Sequence, residues 1–114
     1  MPHINLKISA NLSEFAFHDF AKDAHAILKE YANIEKCKSK MEVIQDFYIG
    51  SDPSNKGFVY LEVLVLQRPE ETLKAIGQKL YDLLNAKTLP LIHSKNLRAD
   101  INLEVRVLQH YWQP

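Results

Sequence analysis

The stretch Ile4-Asn5-Leu6-Lys7-Ile8 alternates apolar with polar residues, and the interpretation of the whole chain begins from it. Apolar side chains at every second position are typical of a strand with one buried face. A counterpart, Leu61-Glu62-Val63, lies about half the chain later, inside the almost wholly apolar run Phe58–Leu66. Such a run is typical of a strand that is buried on both faces. Each of the two strands precedes a segment with helical spacing, which indicates two β-α-β units.

The two predicted helices follow these strands. Asn11 and Glu14 have the spacing of a capping box, which predicts a first helix over about residues 12–32. Pro69 suits the first turn of a second helix, because two glutamates that complement a helix N-terminus follow it. The segment Leu89-Pro90-Leu91-Ile92 predicts a loop or a short turn of helix, since proline interrupts helices.

Two more strands complete the pattern. Met41–Ile49 is rich in apolar, β-branched and aromatic residues, and Ile101–Val107 alternates apolar with polar residues. The segment Gly50–Gly57 separates the two halves and has the composition of a loop. We therefore expect an α+β fold made of duplicated β-α-β units, each right-handed with parallel strands.

This order predicts a single domain over residues 1–114, with halves at about 1–50 and 57–114. The two units would form a four-stranded mixed sheet with two helices on one face. The other face then needs a cover, and the apolar character of Phe58–Leu66 favours oligomerisation.

Composition excludes several classes of function. The chain has 114 residues, a formal net charge of zero and 46% hydrophobic residues, which is ordinary for a globular protein and gives no attraction to nucleic acid. It has no apolar run long enough for a membrane span and no signal-peptide pattern. The single cysteine, Cys37, fits a reducing compartment, and no Cys/His cluster has metal-ligand spacing. We expect a cytoplasmic protein without a metal or an organic cofactor.

Pro2 is the main candidate for a functional residue. A small second residue normally permits removal of the initiator methionine, which would leave a secondary amine at the start of the chain. An α-amino group has a reference pKa of about 8, and burial lowers it. A base with a pKa near 7 suits proton transfer next to a carbonyl. With Met1 still attached, the Pro2 nitrogen is an amide and cannot act as a base.

Two folds share the predicted element order: the ferredoxin-like sandwich and the tautomerase fold. Four short features of the sequence bear on the choice between these folds. They are the opening Met1-Pro2-His3, the segment Ser9-Ala10-Asn11, the basic-Ser-basic triplet Lys38-Ser39-Lys40 and Arg68 after the third strand. With these features, its length and its duplicated β-α-β units, the chain resembles the tautomerase superfamily. Within that superfamily it is most similar to the 5-carboxymethyl-2-hydroxymuconate Δ-isomerases. The resemblance covers nearly the whole chain, and Pro2 is its most specific residue.

The resemblance implies a homotrimer whose sheets surround a central barrel, and proton transfer without a cofactor. Pro2 would be the general base, acting on 5-carboxymethyl-2-hydroxymuconate in the homoprotocatechuate branch of aromatic-acid breakdown. Arg68, Lys38 and Lys40 would bind the carboxylates of this small-molecule substrate. The family has arginines where this chain has Lys38 and Lys40. A lysine lacks the planar fork of arginine, so the substrate can differ.

Three alternatives remain open. The lysines can shift specificity to another enolisable keto acid, such as phenylpyruvate. The chain can be a ferredoxin-like module that binds a small molecule without catalysis, or a tautomerase-fold protein that has lost catalysis. Among other residues, His3 is expected on the face opposite to its strand neighbours, His18 and His25 in solvent, and Cys37 without a catalytic partner. The aromatic tail at His110, Tyr111 and Trp112 is expected to pack on a neighbouring subunit or to edge the pocket, and packing is the more common role of such tails.

Overall fold

The computed structural model describes residues 2–50, 55–110 and 112 of the chain. Met1, Tyr111 and residues 51–54 of the predicted loop therefore lie outside the described residues. Within the described part, the elements in chain order are β1 (His3–Ser9), a short 3-10 helix (Ala10–Leu12), α1 (Phe17–Ala32), β2 (Lys38–Ile44), β3 (Lys56–Val65), α2 (Glu70–Ser94) and β4 (Arg98–Val107).

The four strands of the described residues form one mixed sheet in the order β2-β1-β3-β4. β1 runs parallel to β2 and antiparallel to β3, and β3 runs parallel to β4. Each half of the chain thus contributes one parallel pair, and the two halves join through β1 and β3. This arrangement confirms the predicted duplication of β-α-β units.

The hydrophobic core lies between one face of the sheet and the two helices. Ile4, Leu6 and Ile8 are fully buried on this face, as the alternation in β1 predicts. The helices contribute large apolar residues such as Phe20 and Leu80, also fully buried. Burying an aliphatic or aromatic side chain stabilises a fold by about 1.5–3 kcal/mol, so this one-sided core holds the sheet and helices together.

The opposite face of the sheet, which we call the open face, carries no helix. In β3 only alternate residues are fully buried, while Tyr60, Glu62 and Leu64 are partly exposed on the open face. The expectation that Phe58–Leu66 is buried on both faces is therefore wrong for the single chain. The reason is that polar Tyr60 and Glu62 occupy positions on the uncovered side.

The first helix begins five residues later than predicted from the capping box. Asn11 does not cap it: its side chain accepts a hydrogen bond from Ser9 Oγ at 2.7 Å and donates one to the Lys56 carbonyl at 2.7 Å. α1 instead begins at Phe17, after Ala16. Asparagine is a residue type that often caps helices, but here Asn11 links the end of β1 to the beginning of β3.

Leu89-Pro90-Leu91-Ile92 lies inside α2, so the prediction of a loop there is wrong. Pro90 is exposed, whereas Thr88 and Ile92 are buried against the core. Thr88 donates its hydroxyl to the Leu84 carbonyl at 2.7 Å. The burial of these residues outweighs the intrinsic cost of proline in a helix, which is about 3 kcal/mol.

Two strands also differ from their predicted bounds. β2 covers Lys38–Ile44 instead of Met41–Ile49, and β4 begins at Arg98 instead of Ile101. Pairing explains both differences, since Lys38 lies opposite His3 and Arg98 lies opposite Lys56. Charged residues thus continue a strand where a partner strand is present.

Gly57 provides a test of the packing between β1 and β3. A Cβ at this position would lie 3.0 Å from Ser9 Oγ and 3.2 Å from Asn11 Oδ1. We expect Gly57→Ala to lower the free energy of unfolding by about 1–3 kcal/mol, because it displaces this hydrogen-bonded pair. Urea denaturation measures the change.

Gly77→Ala is the matched control, because its Cβ would meet Val105 at 3.4 Å, an ordinary contact. Alanine is favoured over glycine inside a helix by about 1 kcal/mol, so this variant should be more stable than the wild type. Equal stability of the two variants would contradict the packing described for Gly57.

Candidate active site

Pro2 lies at one end of the sheet, immediately before β1, and is buried. β1 is an inner strand, so the neighbours of Pro2 come from both sides. The Lys38 backbone N–H donates to the Pro2 carbonyl at 3.0 Å, which places the beginning of β2 beside it. β3 is antiparallel to β1, with Leu64 opposite His3, so the end of β3 reaches the same edge.

Lys38 and Lys40 both lie on the open face. They are the register partners of His3 and Asn5, while Ser39 between them pairs with buried Ile4 on the helix side. Both lysines are exposed, and within the described residues neither forms a salt bridge. Lys38 adjoins Pro2, whereas Lys40 lies one full pleat further along β2.

Arg68 is half-buried and lies three residues beyond the end of β3. Its Nε donates to the Ala32 carbonyl at 3.4 Å and its Nη1 to the Gln67 carbonyl at 3.1 Å. The guanidinium therefore adjoins the C-terminus of α1, on the helix side of the sheet. A cation at this position is favourable because the helix dipole is negative there.

The structure thus brings Pro2, Lys38 and Arg68 to one end of the sheet. It places the two candidate cations on different sides of the Pro2 backbone, with Lys38 on the open face and Arg68 on the helix side. Lys40 lies one pleat further along β2 than Lys38. The separation of faces follows from strand register, which the sequence pattern alone does not contain.

Positive charges act on His3, the residue after Pro2. Burial lowers the pKa of His3 below its ordinary value of 6.5, and nearby positive charges, Lys38 and Lys40 among them, lower it further. The imidazole is therefore mostly neutral at pH 7. The same field would disfavour a proton on any other basic group at this edge.

His25, which was expected in solvent, and Cys37, which was expected without a catalytic partner, both lie beside β2. His25 is half-buried, and its Nε2 lies 2.5 Å from Ser39 Oγ, so the expectation that it is solvated is wrong. Burial raises the pKa of the Cys37 thiol, which keeps it protonated at pH 7. A protonated thiol is a weak nucleophile, so Cys37 has no catalytic features.

The C-terminal segment reaches the same end of the sheet as Pro2. The Leu108 N–H donates to the Val65 carbonyl at 2.7 Å, which continues the pairing of β4 with β3. Beyond it, His110 and Trp112 stack with ring centroids 6.5 Å apart, and Trp112 is 84% exposed. These rings form an exposed aromatic surface just beyond β4.

The open face carries a network of charges. Glu62 is nearly buried, with 12% of its side chain exposed, and pairs with Lys7 at 3.2 Å and with Arg106. Tyr60 donates its hydroxyl to Glu104 at 2.5 Å, and this bond raises the pKa of Tyr60. A cavity of about 230 Å³ opens beside this network, between Lys40 and Glu62.

The described residues contain no group of three or more His, Cys, Asp or Glu side chains placed to hold a metal ion. No helix in the described part of the chain is both long and apolar enough to cross a membrane.

Comparison with known proteins gives matches in structure only. No protein-family model matches the chain, and no curated protein matches its sequence. A 5-carboxymethyl-2-hydroxymuconate isomerase from Deinococcus radiodurans R1 is similar with a TM-score of 0.85 and 19% identity, over 99% of this chain and 88% of that one. A 5-carboxymethyl-2-hydroxymuconate delta-isomerase is similar with a TM-score of 0.84 and 15% identity, over 100% of this chain and 87% of that one.

A fused 4-OT, solved as a symmetric trimer, is similar with a TM-score of 0.67 and 14% identity, over 93% of this chain and 86% of that one. These likenesses establish the fold. The chain has the tautomerase fold, which confirms the predicted resemblance at the level of structure and decides against the ferredoxin-like sandwich.

The lowered pKa of His3 predicts how stability depends on pH. The unfolded chain binds a proton at His3 more readily than the folded chain does, so His3 contributes stability above pH 6.5 that is lost as the pH falls below it. We expect the free energy of unfolding to fall less between pH 7.5 and 5.5 in His3→Gln than in the wild type. Urea denaturation at both pH values measures this, with His18→Gln as the control for an exposed histidine. An identical pH dependence in His3→Gln and the wild type would contradict it.

Proposed function

We propose that the chain is a cofactor-independent isomerase of the tautomerase type, with Pro2 as its general base after removal of Met1. The single observation that carries the proposal is the position of Pro2, buried at the end of the inner strand β1 and adjoined by Lys38. The fold supports it, because the similar structures include 5-carboxymethyl-2-hydroxymuconate isomerases.

The proposed chemistry moves one proton and needs no other reactant. The neutral secondary amine of Pro2 takes a proton from an enol hydroxyl, or from the carbon next to a carbonyl, and becomes an ammonium. The electron pair released spreads over the conjugated system as a dienolate. The ammonium then returns the proton to a different carbon, which regenerates the amine. Nearby cations lower the barrier by stabilising the negative charge that develops on oxygen.

Arg68, Lys38 and Lys40 are the proposed carboxylate ligands. Arg68 has guanidinium N–H groups beyond those bonded to Ala32 and Gln67. It can therefore bind a carboxylate while it keeps its hydrogen bond to the C-terminus of α1. Lys38 supplies a point charge beside Pro2 on the other face. Lys40 can reach only a substrate that extends one pleat along β2, so we assign it the most distant role.

The proposed substrate is 5-carboxymethyl-2-hydroxymuconate or a close relative of 2-hydroxymuconate, in the cytoplasmic homoprotocatechuate branch of aromatic-acid breakdown. A second candidate is a monocarboxylate keto acid such as phenylpyruvate. The placement of the cations supports this second candidate, because Lys38 lies on the open face and Arg68 on the helix side, and a monocarboxylate needs only one of them.

We also propose that the protein is a homotrimer. Both outer strands, β2 and β4, have a free edge in the single chain, and a free edge is a template for pairing with another chain. Ile101, Leu103 and Val105 of β4 are only partly buried. Pairing of β4 in one copy with β2 in the next would cover them, and a head-to-tail contact of this kind forms a ring when its rotation closes. The fused 4-OT of similar fold, solved as a symmetric trimer, supports a ring of three.

Substitution of Pro2 tests the proposal directly. We expect the natively expressed protein to lack the mass of Met1 and to ketonise 2-hydroxymuconate or phenylenolpyruvate. Pro2→Ala should lower kcat/KM by about 10²- to 10⁴-fold, because a positioned general base contributes that much. Pro90→Ala, an exposed proline in α2, is the matched control and should keep its activity. A retained Met1 together with no activity would favour a binding module instead.

The charge of Lys38 sets the pH at which Pro2 acts. Lys38 disfavours the protonated amine, so removing its charge raises the pKa of the base. We expect Lys38→Gln to shift the acid limb of the pH profile of kcat/KM upward by roughly 0.3 pH unit, as for two solvated charges several ångströms apart. Lys22→Gln, an exposed lysine of α1, is the control. A shift to lower pH in Lys38→Gln would contradict the assignment of Pro2 as the titrating base.

A further inference from the structure

His25 of α1 and Ser39 of β2 are joined by a hydrogen bond that the proposed chemistry does not use. His25 Nε2 lies 2.5 Å from Ser39 Oγ, and both side chains are half-buried between the helix and the sheet. Ser39 lies opposite buried Ile4, so its hydroxyl is on the same side of the sheet as the hydrophobic core. The bond is therefore a polar contact between two layers whose shared core is apolar.

This hydrogen bond fixes the position of α1 along the sheet more closely than the apolar contacts of the helix do. Phe20, Ala24 and Leu28 are fully buried and recur every four residues on one face of α1. Hydrophobic contacts are non-directional, so they hold the helix against the sheet without fixing its place along β2. A hydrogen bond weakens steeply as its geometry departs from the ideal, so the pair formed by His25 and Ser39 resists displacement of α1.

The C-terminus of α1 carries the anchor of Arg68. The last carbonyls of a helix have no donor within the helix, and Ala32 is the final residue of α1. Its carbonyl accepts the hydrogen bond from Arg68 Nε at 3.4 Å, while the Asn33 N–H donates further back, to the Lys29 carbonyl at 3.1 Å. The position of the Arg68 guanidinium thus depends on the position of α1.

β2 carries the corresponding anchor of Pro2. Lys38, next to Ser39 on β2, donates its backbone N–H to the Pro2 carbonyl at 3.0 Å. Contacts therefore run from Pro2 to β2, across the bond between the two layers to α1, and from the end of α1 to Arg68. This path joins the proposed base to the proposed carboxylate ligand.

We propose that His25 and Ser39 are positioning residues, which set the distance between Pro2 and Arg68 through α1. Their role rests on the proposed function, in which Arg68 binds a carboxylate. They do not touch the substrate: without their bond, α1 and the guanidinium shift relative to Pro2. Misplacement of a site group by about 1 Å can cost about 100-fold in rate. We expect roughly 3- to 10-fold here, because only one hydrogen bond is lost.

Hydrogen exchange at Arg68 Nε–H, followed by 15N NMR of the ligand-free protein, tests this role without any use of activity. His25→Leu removes the bond and should make this proton exchange roughly 3- to 10-fold faster, because its acceptor is held less firmly. His25→Gln keeps a polar group for the bond and should exchange as the wild type does. His18→Leu, at an exposed position of the same helix, is the matched control. Arg106 Nε–H, which faces Glu104 on the open face, is the internal reference and should be unchanged in every variant.

Kinetics of the ketonisation of phenylenolpyruvate give a second readout. Ser39→Ala and His25→Leu should raise KM roughly 3- to 10-fold and leave kcat almost unchanged, because they weaken carboxylate binding equally in the ground state and the transition state. Ser39→Thr retains the hydroxyl and should keep the wild-type KM. In an Arg68→Gln background, His25→Leu should raise KM no further, since the two side chains act on one interaction.

Three results would overturn the proposal: wild-type exchange at Arg68 Nε–H in His25→Leu, equally fast exchange in His25→Leu and His25→Gln, or an equal rise of KM from His25→Leu with and without Arg68. Absence of isomerase activity in the wild type would instead contradict the proposed function, and the exchange measurement would still decide whether His25 positions Arg68.

Discussion

The pairing of β1 between β2 and β3 is the constraint on which the rest of the structure depends. Because β1 is an inner strand, both of its edges are hydrogen-bonded, and its first residues lie in the middle of one end of the sheet. A residue at this place has neighbours from two strands. The position of Pro2 beside Lys38, with Arg68 at the same edge, follows from this pairing.

The two faces of the sheet have different physical roles. The helix side is apolar, and fully buried residues such as Leu6 and Leu61 stabilise the fold there. The open face is polar, and its charges are organised by register: Glu62 lies between Lys7 on one side and Arg106 on the other. The chain can thus place functional groups on the open face at little cost to its core.

Much of the fold could be predicted from the sequence, because alternation and helical spacing report which side chains face a core. The four strands, the two helices and their mixed sheet are as predicted. The errors have a common physical cause. Asn11 bonds to β3 instead of capping α1, and Pro90 stays inside α2 because its neighbours are buried. In both cases tertiary contacts outweigh a local preference.

The candidate site could be predicted only in part. The sequence identified Pro2 and the triplet at 38–40 as candidates, but their proximity follows from the pairing of β1 with β2, which the predicted strand from Met41 onward did not include. The contact of His25 with Ser39 and the unpaired oxygen of Asn5 could not be predicted, because both depend on register between distant segments. The same is true of Arg68, whose helix-side position requires the end of α1.

The central claim is that Pro2 has a free secondary amine that is neutral at physiological pH. A pH titration of the protein by NMR, with 15N-labelled proline, observes this nitrogen directly. The account predicts a resonance that titrates with a pKa below the ordinary α-amino value of about 8, because burial and the positive charge of Lys38 both disfavour the proton. A nitrogen that does not titrate, as in an amide, or one with a pKa of about 9 or higher, would contradict it.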